Sequence, residues 1–337
     1  MSVERRAFLT DSVGVAATAG LPTAMRPLPQ MSRTGAIGTA HIQELRAGLR
    51  SLYELDNAYG GGDVRSLAVR HLRRIRRVIN NSNYPDTIGR QLRLLSGEAA
   101  EHCAWLFYDA DDQEAARSYW GDALTTASML GDASLETLVF AALSLQASHA
   151  GQPRDGLDYA RAARERASRF DSPRLQSLLA TREARALSLM PDAKAAQSKL
   201  SEAMRLAERT DRRSPDWTAF HGAAEISFAQ GLAYAESGHH SAAVSFLKAA
   251  LAQQNQRVYG RNKALYRLTL ARSLVAAGQA DEGAAHAVES LDYLSEVESG
   301  RVTRRIKQVA GLLRGCGASG SKETAQHLLE HTGAKGC

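Results

Sequence analysis

The 337-residue chain is poor in cysteine, proline and aromatic residues, and it contains no long apolar run. Its three cysteines, Cys103, Cys316 and Cys337, are too few for a disulfide scaffold. No stretch approaches the roughly 20 apolar residues that a membrane-spanning helix needs, so no membrane partner is expected. Lys and Arg number 42 against 36 Asp and Glu, for a formal charge of +6. So mild an excess allows contact with nucleic acid or an acidic partner without demanding it. At 44% apolar residues the composition is that of a folded protein. No metal or catalytic constellation stands out, and no cofactor is called for. The ten histidines are scattered, and His327 with His331 is a pair at i, i+4 without further ligands. The Gly-rich strings at Gly60–Gly62 and Gly315–Lys322 fit no phosphate-loop spacing.

Three of the eight prolines, Pro22, Pro27 and Pro29, hold the chain extended near its start. Ahead of them, Arg5 and Arg6 followed by Ala7, Phe8 and Leu9 have the form of a twin-arginine export motif. Asp11 interrupts it, and the apolar stretch after it is short. Residues 1–40 are therefore read as a flexible arm, and the expected location is cytoplasmic.

From His41 onward the apolar period is helical and no long β-branched run appears. The segments around Ala116, Gly156, Ala196, Ala243 and Gly283 repeat one pattern, with small or apolar residues at i, i+4 and i+7. Twelve residues before each stands another small residue: Ala104, Ser144, Ala184, Gly231 and Ala271. Small residues facing each other at this distance let two antiparallel helices cross closely, and Gly238 and Gly278 supply turns between them. This is the tetratricopeptide pattern, stretched by about six residues per unit. The predicted fold is all-α, a right-handed superhelix of tetratricopeptide-like helical hairpins. A divergent first hairpin opens on a helix over 41–59, with Ile42, Leu45, Leu49, Leu52 and Leu55 toward the core. Gly60–Gly62 break that helix, and Asp63 is positioned to cap the next. Six hairpins and a closing segment over 300–313 give a repeat domain at 41–313. Residues 314–337 form a tail with room for a short helix at 322–331.

Two surfaces are candidates for binding. Arg70, Arg73, Arg74 and Arg77 lie on one face of the helix over 64–79, opposite the stripe of Leu72, Ile75 and Ile79. That basic face suits a phosphate backbone or an acidic partner, or is a solvated face paired with neighbouring helices. It lacks the interleaved aromatics that stack bases. Tyr259, Arg261, Asn262, Tyr266 and Arg267 begin the first helix of the sixth hairpin, and first helices line the groove of such a superhelix. Two aromatic clusters, Trp105 to Trp120 and Trp217 to Tyr234, could also face the groove, although stacking core accounts for most of them.

The strings LYELDNAYGGGDVRSLAVRHLRRIRRVI, EAAEHCAWLFYDADDQEAARSYWGDALTTASMLGD and HAGQPRDGLDYARAARERA resemble the sensory half of actinobacterial helix-turn-helix regulators with tetratricopeptide repeats. The resemblance covers roughly residues 41–295. It implies a repeat scaffold that senses a peptide or protein ligand, and it offers a second origin for Arg5 and Arg6, as a linker remnant. The 40 residues before the repeats are too few for the helix-turn-helix domain of that family. The leading expectation is therefore a non-catalytic regulatory or scaffold protein that binds a peptide or protein in the groove, with room for a homodimer. One alternative is a nucleic-acid-binding regulator acting through the helix over 64–79. Another is an accessory protein or enzyme of a biosynthetic pathway built on the repeat scaffold.

Overall fold

The computed structural model describes residues 37–62, 64–209, 213–254, 260–294 and 297–334. Arg5, Arg6, the amino-terminal prolines, the cap at Asp63, Tyr259 and Cys337 lie outside the described residues. The rest is all-α. Fourteen helices are described: α1 (Thr39–Tyr59), α2 (Val64–Asn81), α3 (Asp86–Asp109), α4 (Gln113–Leu130), α5 (Ala133–His149), α6 (Pro153–Ala167), α7 (Pro173–Leu187), α8 (Ala193–Ala207), α9 (Ala223–Glu236), α10 (His240–Ala252), α11 (Gly260–Ala276), α12 (Ala280–Glu289), α13 (Gly300–Gly315) and α14 (Ser321–Ala334). Consecutive helices pack as antiparallel hairpins, and the hairpins stack in chain order as a tetratricopeptide-like superhelix.

The small residues sit where the helices cross. Ala104, Ser144, Ala184 and Ala271, and the partners Ala116, Ala196 and Ala243, are buried almost completely. A Cβ on Gly231 would lie 2.6 Å from Leu247 Cγ, and one on Gly283 would lie 2.7 Å from Val275 Cγ2 and 3.0 Å from the Ala271 oxygen. Between α5 and α6 the crossing is also bonded, because the Ser144 hydroxyl donates to the Gly156 carbonyl at 2.7 Å. Side-chain caps start many helices. Asp112, Asp132, Ser172, Asp192 and Ser299 each accept from the backbone amide three residues on.

The turn inside a hairpin needs a residue with positive φ seven positions after the small crossing residue. Gly151, Gly238 and Gly278 fill that place in three hairpins, with φ between 74° and 83°. In the second hairpin the place falls to Asp111, which holds φ 70°. In the fourth it falls to Pro191, whose ring forbids positive φ, and the turn there is built from overlapping tight turns over residues 186–192 instead.

The apolar face of α1 includes Ile42, Leu45, Leu49 and Leu52, as the periodicity predicts. The next inward place, however, belongs to Asp56, and Leu55 is only half-buried. The charge is drawn inward by a distant partner described below. At the other end, α13 and α14 form a further hairpin, with Val309, Leu313, Ala325 and Leu328 in one core with α11 and α12.

Candidate functional site: the inner face of the superhelix

The first helix of each hairpin faces inward. In sequence, α3 packs on α5, α5 on α7, α7 on α9, α9 on α11 and α11 on α13. The row then closes, because α13 returns to pack on α3. The inner face is thus walled on all sides by first helices.

A buried charge cluster makes this closure. The Asp109 carboxylate, at the end of α3, is wholly buried. It accepts from Arg261 Nη1 at 3.1 Å, from Arg301 Nε and Nη2 at 3.0 and 2.7 Å, and from the Ser299 hydroxyl at 3.1 Å. Arg261 Nη1 also donates to Asp56 Oδ1 at 2.8 Å, which explains the inward turn of Asp56. Burial alone would raise the pKa of Asp109, but Arg261, Arg301 and the Ser299 bond outweigh it and hold the carboxyl below its ordinary value. The backbone adds two bonds: Glu298 N–H donates to the Tyr59 carbonyl at 3.0 Å, and Gly61 N–H donates to the Glu298 carbonyl at 3.1 Å. Gly300 lies so close to the Ala110 backbone that an added Cβ would sit 2.3 Å from its oxygen.

Inside the closed row, arginines dominate. Arg182 and Arg185 come from α7, Arg272 from α11, and Arg301 and Arg305 from α13, while the exposed Arg304 of α13 pairs with Asp111 at 3.2 Å. Arg301 lies over the ring of Tyr108, its guanidinium carbon 4.6 Å from the centroid. The Tyr108 hydroxyl meets His149 Nδ1, and the two rings stack. Burial, followed by Arg185, Arg301, Arg305 and Arg304, holds His149 well below its ordinary value, so its ring is neutral at pH 7. The carboxylates here are fewer. Glu236 on α9 lies 3.3 Å from Arg185 Nη1 and 3.7 Å from Arg272 Nη2. Glu225, whose pKa burial raises, accepts from the Tyr266 hydroxyl.

Of the residues singled out in the sequence, Arg261 is at the inner face but is spent on the closure. Tyr266 stacks on Phe228 with centroids 4.0 Å apart and bonds Glu225. Arg267 points to the second helix of its hairpin, where it pairs with Glu289 and lies over Tyr293. Asn262 is half-buried at the start of α11. These four are therefore not gathered into one constellation. On α2, Arg70, Arg73 and Arg77 are exposed, whereas Arg74 bonds Glu44 at 2.8 Å. The neighbouring Arg76 bonds Asp122 at 2.7 Å. Of the aromatics, Tyr108 and Trp120 are core, Phe107 stacks on Tyr119, and Tyr234 stacks on Phe246. Cys103 is core, and burial pushes its thiol up to about 12. No group of three or more residues suited to hold a metal ion occurs among the described residues.

The inner arginines were missed in the sequence although the repeat register marks two of them. Arg185 follows the small residue Ala184, and Arg272 follows Ala271, so both occupy the repeat position that Trp105 holds in the second hairpin. A separate cleft of about 490 Å³ opens where α8, α9 and α10 meet, lined by Met204, Ile226, Ser227, Gln230 and Gln253. Arg174 and Arg209 also line it, whereas Arg185, Arg272, Arg301 and Arg305 do not. At its edge His221 bonds the Ser177 hydroxyl at 2.9 Å, and burial lowers its pKa to about 3.

No protein-family model matches the sequence, and no curated protein matches it. Solved structures do share the fold. A Rap protein complexed with competence and sporulation factor superposes with a TM-score of 0.53 at 13% identity, over 87% of this chain and 88% of that one. Aspartyl phosphate phosphatase F from Bacillus subtilis gives 0.49 at 15% identity, over 90% and 86%. A signal-transduction ATPase from Pyrococcus horikoshii with a tetratricopeptide repeat sensor gives 0.45 at 11% identity, over 88% of this chain and 46% of that one. At these identities the likeness is one of fold, and the fold of this chain is a tetratricopeptide-like helical-repeat superhelix, a scaffold often used to hold other proteins.

Proposed function

We propose that this protein is a non-catalytic regulatory or scaffold protein that holds a peptide or protein partner against the inner face of its superhelix. The observation that carries this reading is the closed row of first helices, whose inward side chains remain long, polar and charged rather than packing as a core. A scaffold with no ligand would fill that space with apolar residues, because buried unpaired charge destabilises a fold. A Rap protein of the same fold is complexed with competence and sporulation factor, and this supports the reading at the level of fold only. In the same reading, the likeness to the sensory half of helix-turn-helix regulators describes a sensor that acts through its partner. The exposed arginines Arg70, Arg73 and Arg77 keep a nucleic-acid surface on α2 as the second reading. The protein acts in the cytoplasm, which fractionation of the native cell would check.

Affinity capture from native lysate tests the function. Two baits are needed: the wild-type chain, and a chain with Arg182, Arg185 and Arg272 changed to Gln. The expected result is a partner held by the first and lost by the second. A partner held equally by both, and released by neutralising Arg70, Arg73 and Arg77, would move the function to α2.

A further inference from the structure

The inner face is specific about the chemistry of what it holds, and this inference rests on the groove-binding reading above. Arg185 from α7 and Arg272 from α11 gather around Glu236 with Arg305 from α13 near them, and Arg182 stands one helical turn before Arg185 on α7. Arg185 and Arg272 reach toward the same oxygen of Glu236, so their guanidinium groups are near neighbours. Arg305 is close enough to both to feel their charge, and burial followed by Arg272 and Arg185 pushes it down to about 9. Burial lowers the pKa of Arg182, and Glu225, then Tyr108, offset part of that while Arg301 adds to it.

The counter-charge is incomplete. Among the described residues, neither Arg182 nor Arg305 has a carboxylate within ion-pair distance. Buried donor atoms are also left without hydrogen-bond partners: Arg182 Nε, Arg185 Nε and Arg272 Nε. Glu236 serves Arg185 and Arg272 and acts on Arg305 as well, and Glu225, bonded by Tyr266, is the carboxylate that acts on Arg182. Asp109, the remaining acid nearby, is committed to Arg261 and Arg301. Such an arrangement is costly without an anion, because like charges in an enclosed space repel and orphaned guanidinium N–H groups have lost their water. The orphaned donors are also those that bind carboxylates by paired, charge-assisted hydrogen bonds.

We propose that Arg182, Arg185, Arg272 and Arg305 form a carboxylate-binding site, and that its ligand is an extended acidic peptide with carboxylates on alternate residues. Alternation follows from geometry. Arg182 and Arg185 stand one helical turn apart, about 5–6 Å between their Cβ atoms. In an extended peptide the side chains at i and i+2 share a face and lie about 6.5–7 Å apart. The arginines are partly buried, Arg185 and Arg272 being 12% and 22% exposed, so the pairing is stronger there than on an open surface. Glu236 sets the register by rejecting a carboxylate at its own position.

Fluorescence anisotropy with a labelled hexapeptide of alternating Glu and Ala tests the site on the full chain. The same peptide with Gln for Glu serves as its control. Binding is expected for the Glu peptide, at least tenfold weaker for the Gln peptide, and weaker again as salt is raised. Arg185→Gln and Arg272→Gln should each weaken the Glu peptide about tenfold. Arg267→Gln, whose side chain belongs to another helix pair, should leave it unchanged. Thermal melts of each variant show that the fold is intact. If the Gln peptide binds as well as the Glu peptide, or the two variants bind like wild type, the carboxylate site is refuted, although the groove remains a peptide site. If phosphate displaces the peptide and binds the same arginines in its place at equal affinity, the assignment to a peptide carboxylate is overturned. If neither peptide binds and the captured native partner is indifferent to the arginine changes, the groove reading falls with it.

Discussion

Replacing Arg261 by Met should open the closed row of first helices. Arg261 is 7% exposed, and its Nη1 joins two carboxylates that are 5% and 0% exposed. Without it, Asp109 keeps Arg301 and Ser299, but Asp56 is left buried without a counter-ion. Removing one partner of a buried ion pair costs about 3–5 kcal/mol, and the surviving Arg301 bonds put this case near the lower figure. Urea unfolding reads the loss as a lower midpoint, and small-angle scattering reads the opening as a larger radius of gyration. A second variant separates charge from packing. Asp56→Leu combined with Arg261→Met removes both charges and should regain most of the loss, since apolar replacements of a buried pair are often neutral. A single variant within about 0.5 kcal/mol of wild type, with unchanged scattering, would refute the idea that this cluster holds the ends together. The same cluster sets an acid limit. Because the Asp109 pKa is depressed when folded, its contribution is complete above the ordinary carboxyl value of 3.8 and is lost as pH falls through the lower folded value.

Other substitutions test separate parts of the account. Gly300→Ala would place a Cβ 2.3 Å from the Ala110 oxygen, and it should destabilise by about 1–3 kcal/mol and loosen the same closure in scattering. Asp111→Gly should stabilise by up to about 1 kcal/mol in urea unfolding, because φ 70° suits glycine, while the half-exposed pair with Arg304 and the bond from Gln113 Nε2 that it loses are worth less. His102 is wholly buried, and burial lowers its pKa from 6.5 to about 4. The unfolded chain therefore binds its proton first, and stability should fall as pH drops from about 6.5 to 4. His102→Leu should flatten that slope by roughly 3 kcal/mol across the window, seen as a smaller shift of the melting temperature between pH 7 and 4.

The hairpins were legible because helix crossing is a local steric demand. Only Gly fits where Gly231 meets Leu247 or Gly283 meets Val275, Ala or Ser stands at the other crossings, and the demand for a small residue recurs along the chain. The ring closure was not legible. Asp56 and Arg261 are 205 positions apart, and nothing near either residue names the other. Leu55 was expected inside on periodicity alone, and the ion pair turned Asp56 inward in its place. The candidate binding residues were chosen from the start of one helix, where the closure had already claimed Arg261. The arginines that do converge, Arg185 and Arg272, share a repeat register but come from hairpins far apart in sequence. Their convergence follows from the curvature of the whole stack. Asp111 was hidden for the opposite reason, since it does the work of a glycine without being one.

Hydrogen–deuterium exchange on the protein captured with its native partner tests the central claim most directly. If the partner is held by the inner face, protection should appear on α7, α9, α11 and the start of α13, and should vanish in the variant lacking Arg182, Arg185 and Arg272. Protection confined to α2 or to the outer second helices, with the inner helices exchanging as they do in the free protein, would contradict it.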